Sequence, residues 1–130
     1  MRSTMGDPCA FCKMFDVELR AYREAGIRDV LPTVACFTPL RPTVAGHLLV
    51  VPVRHVETLA GLDEHERRDL FDRLYERGHE QGAFYVIQQN GAAAQQTVSH
   101  LHFHIVPGGR GFRIPWNEST SDADDGLVIW

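Results

Sequence analysis

Between Gln96 and Pro107 the chain reads Gln-Thr-Val-Ser-His-Leu-His-Phe-His-Ile-Val-Pro, with histidine at 100, 102 and 104 and Leu101, Phe103 and Ile105 alternating with them. A period of two is the pattern of an extended strand, so the segment predicts a strand with three imidazoles on one face and three large apolar side chains on the other. Side chains two apart on one strand face stand roughly 6.5 to 7 Å apart, close enough for one bound anion to touch several rings. The competing readings are a half-exposed strand and a chance metal-binding patch. Three histidines in strict alternation, in a chain with seven, weigh against both.

Other features bound what surrounds this strand. A chain of 130 residues forms one domain with a single core. A net charge of -4 argues against a binder of nucleic acid polymers, which would carry a basic face. No apolar run reaches the length of a membrane span, and the polar N-terminus lacks a secretory core, so the expected location is the cytoplasm. Three cysteines, two of them as Cys9-Ala-Phe-Cys12, suit a reducing compartment and suggest a metal or redox pair.

Taken in order, residues 1–8 read as a flexible start and 117–130 as a polar, acidic tail with an apolar end, leaving one domain over 9–116. Phe15, Leu19 and Tyr22 fall at helical spacing, with Gly26 as a stop. Ile27 to Leu31, Val34 to Leu40, His47 to Val53 and Phe84 to Gln88 read as strands. Asp63 with Glu66 three residues on is a capping-box start for a helix to about Gln81, with Leu70, Phe71, Leu74 and Tyr75 as its buried stripe. Arg41 to Gly46 and Gln89 to Gln95 read as loops. Strands outnumber helices, so the expected class is α+β on an antiparallel sheet.

His100-x-His102-x-His104 followed by two apolar residues resembles the histidine triad (HIT) family of nucleotide hydrolases and transferases. Gln96-Thr97-Val98 before it, and Gly108-Gly109-Arg110 and Trp116 after it, look like the Hint branch. The resemblance implies the HIT-like fold, an antiparallel sheet of about five strands with two main helices, and a homodimer. It implies His102 as a nucleophile that forms a covalent nucleotidyl intermediate, with His104 and His47 lining the phosphate. The backbone carbonyl of His100 would hold the other ring nitrogen of His102. Gln89, Asn90, Gly91, Gln96 and Thr97 would bind substrate. A neutral imidazole can attack phosphorus when a neighbour fixes its tautomer.

Cys9, Cys12, His55 and His100 are a possible tetrahedral zinc set. The family's zinc-binding members carry such a site, with the first triad histidine as fourth ligand. A site filled by four protein donors leaves no place for an activated water, so this zinc would be structural. The expected partner is a small nucleotide or phosphate ester.

Three departures from the family pattern stand out. Pro39 occupies the place, eight before His47, of an acidic or amide residue that binds ribose. Gln95 replaces the glycine before Gln96, and residues 13–26 lack a Gly-Glu-Ile-Pro turn. The expectation is a phosphoramidase, hydrolase or nucleotidyl transferase. The alternatives are a specialised biosynthetic HIT enzyme on a non-standard phosphate and a non-catalytic, zinc-stabilised nucleotide-binding protein. A protein whose triad itself holds a metal is the third.

Overall fold

The computed structural model describes residues 9–15 and 33–115. The helix expected over Phe15 to Tyr22, the strand Ile27 to Leu31 and both terminal segments fall outside the described residues, wholly or nearly so. Helix α1 (Ala10–Met14) is followed by strands β1 (Val34–Phe37) and β2 (Leu48–Pro52). Helix α2 (Glu64–His79), strand β3 (Phe84–Gln88) and strand β4 (Phe103–Pro107) complete the order. The strands form a four-stranded sheet in the order β1-β2-β4-β3, every pair antiparallel. The expected α+β class is therefore observed, with four strands rather than about five among the described residues.

Alternation along the central strands sorts the core into two clusters. Val34, Cys36, Val50 and Ile105 point to the face where α2 lies and pack with Val56, Leu62, Leu70 and Leu101. Ala35, Leu49 and Val51 point to the other face, where Phe15 closes over them with Phe11, Met14 and Phe37 alongside. Burial of such side chains stabilises the fold by about 1.5–3 kcal/mol each.

Helix α2 begins as expected. Asp63 accepts from the Glu66 amide at 2.8 Å, and Glu66 accepts from the Asp63 amide at 2.9 Å, which closes the capping box. Its buried stripe differs from the periodicity reading. Leu70 is buried and Leu74 partly so, but Phe71 and Tyr75 are 69% and 62% exposed. The inward line instead carries Glu66, Leu70 and Arg73, and ends at Gly78, against which the Phe84 ring packs. Helix α2 lies across β1, β2 and β4 and touches β3 where Phe84 packs on Gly78, and Phe84 and Val86 remain 39% and 47% exposed.

The triad segment also departs from the expectation of one long strand. Only Phe103–Pro107 joins the sheet; His100, Leu101 and His102 precede it in irregular backbone. The reason is local hydrogen bonding. The Leu101 amide donates to the Val56 carbonyl at 2.7 Å, and the His100 ring donates to the Pro52 carbonyl at 2.8 Å. Those bonds draw His100 and Leu101 inward together, both 0% exposed, where a regular strand would send them to opposite faces.

Candidate active site

Three of the four histidines at the centre have a tautomer fixed by a backbone partner that can act in only one way, and the fourth, His104, follows from His47. A carbonyl only accepts, so His102 Nδ1–H donates to the His100 carbonyl at 2.8 Å, and the Nε2 lone pair of His102 is left available. His100 Nε2–H likewise donates to Pro52, which leaves its Nδ1 lone pair facing the cysteines. The Thr43 amide donates to His47 Nδ1 at 2.9 Å, so the His47 proton sits on Nε2. That Nε2–H donates to His104 Nδ1 at 2.9 Å, which in turn places the His104 proton on Nε2. One ring with an open lone pair, His102, thus stands 5.1 Å from a ring with an outward N–H, His104.

Burial favours the neutral form of His47, His100 and His104. Burial pushes the His104 imidazole down to about 4, with the rings of His102 and His47 adding to the effect. Burial lowers His47 below its ordinary value too. His100 falls to about 4, first through burial and then through His55 and His102, against the raising effect of the Pro52 carbonyl.

Cys9, Cys12, His55 and His100 converge as expected, their donor atoms all within 4.8 Å of one another. Cys9 Sγ lies 3.3 Å from His100 Nδ1, and Cys12 Sγ lies 3.4 Å from His55 Nδ1 and 3.6 Å from His100 Nδ1. In a tetrahedral site with Zn–S near 2.3 Å and Zn–N near 2.05 Å, a sulfur and a nitrogen ligand stand about 3.5 Å apart. Two thiol protons can satisfy two of these three contacts, whereas a cation at the centre satisfies all of them. The residues fit a metal ion in both donor chemistry and spacing.

The residues expected to bind substrate divide. Asn90 Oδ1 accepts from the Leu59 amide, and its amide group pairs with that of Gln88. Gln96 Oε1 accepts from the Gly91 amide at 2.7 Å, while its Nε2 donates to the carbonyls of Glu57 and Val98. The side chains of Asn90 and Gln96 and the Gly91 N–H are thus engaged in building the loop. Gln89 is half-buried and Thr97 exposed, and among the described residues neither side chain makes a hydrogen bond. Gln95, where the family has glycine, adopts φ 69° and ψ 28°. That left-handed backbone costs a non-glycine residue about 1–2 kcal/mol. Pro39 lies just past the end of β1 and is half-buried.

Sequence reasoning missed several participants. Phe11, between the two cysteines, sets its ring edge-on to His100 and to His102, each at 5.5 Å. Its place inside the Cys9–Cys12 spacing was the available signal. The Thr43 amide and the Pro52 carbonyl are backbone groups and left no signal in residue type.

A family model described as "HIT domain" matches residues 30–111. Among relatives, the adenosine 5'-monophosphoramidase hnt1 of Schizosaccharomyces pombe is 31% identical over 101 residues, covering 76% of this chain and 73% of that protein. The adenosine 5'-monophosphoramidase HNT1 of Candida albicans is 26% identical over 129 residues, covering 89% and 82%. A nitrilase and fragile histidine triad fusion protein of Drosophila melanogaster is 44% identical over 77 residues, covering 55% of this chain and 17% of its own greater length. Among solved structures, a hypothetical protein from Leishmania major superposes with a TM-score of 0.67 at 25% identity, covering 96% of this chain and 87% of its own.

Proposed function

The chain belongs to the HIT family, and we propose that it is a nucleotide phosphoramidase, hydrolase or nucleotidyl transferase whose covalent intermediate forms on His102. The observation that carries this reading is the His102 Nδ1–H bond to the His100 carbonyl, which leaves Nε2 as the nucleophile. In the first step the Nε2 lone pair attacks phosphorus, and the bond from phosphorus to the leaving amine or oxygen breaks. The leaving group departs with that electron pair and takes a proton from solvent. The His102 ring now carries positive charge, which the His100 carbonyl stabilises through Nδ1–H. His104 Nε2–H donates to a phosphoryl oxygen, held in that role by His47. Water, or another acceptor in a transferase, then attacks phosphorus, the Nε2–P bond breaks, and the proton of the attacking group passes to solvent.

Cys9, Cys12, His55 and His100 would hold a structural zinc. A zinc held there would contribute folding energy, while the His100 carbonyl accepts from the His102 ring. Gln89 and Thr97 are the side chains we assign to substrate contact. Phe71, Tyr75, Phe84 and Val86 form the apolar surface that a homodimer would cover. Pro39 favours a second reading, a specialised enzyme on a phosphate other than a ribonucleotide, because proline offers no side-chain acceptor to a ribose.

Incubation with AMP-morpholidate tests the primary reading. Release of AMP by wild type is expected. Binding without release would favour a non-catalytic nucleotide-binding protein.

A further inference from the structure

We propose that Arg54 and Glu66 are positioning residues that hold the turn after β2, and through it align the metal-ligating set with the ring of His102. The inference rests on the metal reading above.

The chain leaves the sheet after Pro52, and the Val53 amide bonded to the Thr33 carbonyl is its last sheet-like contact. From there to Glu57 the backbone is irregular, yet three groups of the triad region hang on it and on Pro52, the last residue of β2. The Pro52 carbonyl accepts from the His100 ring at 2.8 Å, the Val56 carbonyl from the Leu101 amide at 2.7 Å, and the Glu57 carbonyl from Gln96 Nε2 at 2.8 Å. The same turn supplies His55, whose Nδ1 faces Cys12. A displacement of this turn by a fraction of an ångström therefore moves a metal ligand and the His100–Leu101 backbone together. The carbonyl that sets the His102 tautomer belongs to that backbone.

What fixes the turn is Arg54. Its Nε donates to Glu66 Oε2 at 2.8 Å, and its Nη2 donates to Glu66 Oε1 at 2.7 Å and to the Gly61 carbonyl at 2.8 Å. The two-point carboxylate contact fixes direction as well as distance, which a lysine ammonium does not. Glu66 is only 3% exposed and is itself set by the α2 capping box. The turn is thus keyed to the first turn of α2, a rigid element, although Arg54 touches neither the metal donors nor the place where substrate would react.

The test separates positioning from stability. Removal of Arg54 alone strands a buried carboxylate and lowers the melting temperature for that reason alone. Glu66→Gln removes that stranded charge while its amide oxygen still accepts from the Asp63 amide, so the α2 cap is kept. Arg54→Met, Arg54→Lys and the double variant Arg54→Met/Glu66→Gln are compared with Arg68→Met, which breaks the exposed pair of Arg68 with Glu64. Metal affinity is read with Co2+ by chelator competition, and kcat and KM with AMP-morpholidate. In the double variant the melting temperature recovers, while Co2+ affinity stays about tenfold or more below wild type. Its kcat falls about tenfold or more, with KM within about twofold. Arg54→Lys falls between, and Arg68→Met matches wild type. Where Arg54→Met does not fold, the lysine and double variants decide. Recovery of Co2+ affinity together with melting temperature in the double variant would overturn the proposal, as would wild-type affinity in Arg54→Lys. Absence of turnover in wild type would sink the proposed function instead, and the Co2+ comparison would still judge Arg54.

Discussion

His100 has one half of the centre on each side of it, and the halves are built differently. Towards Cys9, Cys12 and His55 its ring nitrogen joins a set of donors drawn from α1, the turn after β2 and the triad segment, distant in sequence and brought within 4.8 Å. Towards His102 it contributes only a backbone carbonyl, and the other parts are His104, close by in sequence, and His47, just before the neighbouring strand β2. The first half can complete a closed coordination shell and has no position left for a substrate. The second half leaves one nitrogen lone pair and one N–H unspent. On the proposed function, the half that could ligate a metal serves cohesion and the other serves chemistry, with His100 as the link.

The sharpest way to break that division is His102→Ala. Loss of the covalent nucleophile is expected to lower kcat by about a thousandfold or more, while ligand binding persists through His47 and His104. A residual rate above about a tenth of wild type would remove His102 from its role.

Cys9→Ser and Cys12→Ser probe the other half. Each should abolish binding of one zinc per chain and lower the melting temperature by about 5 °C or more, a stability change of about 1 kcal/mol or more. The rate should fall less than in His102→Ala. Zinc-free protein, purified without chelator, with unchanged melting would contradict the cohesive role.

Pro39→Asp tests whether specificity is separable from both halves. A carboxylate accepting from ribose hydroxyls contributes about 1.5–3 kcal/mol, roughly a ten- to hundredfold preference for a ribonucleotide over its deoxy analogue. Wild type should show near-equal kcat/KM for the paired AMP and deoxy-AMP phosphoramidates, with the preference appearing in Pro39→Asp. A wild-type preference above about fiftyfold would show that another group reads the sugar.

The smallest expected effect is on acid stability through His104. Its folded value near 4 lies below the ordinary 6.5, so the unfolded chain binds the proton first as pH falls. The stabilisation from a neutral His104 is full above about pH 6.5 and is lost as pH falls towards 4. A His104→Gln variant should flatten the melting temperature over that window. An unchanged slope in the variant would show that other groups set it.

The two halves were also unequally legible. The three triad histidines lie within five consecutive residues, 100–104, and their alternation marks them in the sequence. That alternation nonetheless overstated the strand, because bonds to Pro52 and Val56 hold His100 and Leu101 in irregular backbone. Phe84–Gln88 and the Asp63–Glu66 box were legible because strand composition and capping are local. Phe71 and Tyr75 were misjudged because helical spacing marks an apolar stripe but not how wide a stripe the sheet can cover. The Arg54–Glu66 pair and the loop-building role of Gln96 depend on contacts across a turn and between loops, where no period runs.

On the proposed function a covalent bond forms between phosphorus and His102 Nε2. Rapid quenching of wild type with AMP-morpholidate into alkali, which preserves N–P bonds, followed by peptide mapping, tests it directly. An adenylyl group on His102 within the first turnover, absent in His102→Ala, is the result expected. Turnover with no adduct on His102, or with the adduct on another residue such as His104, would contradict it.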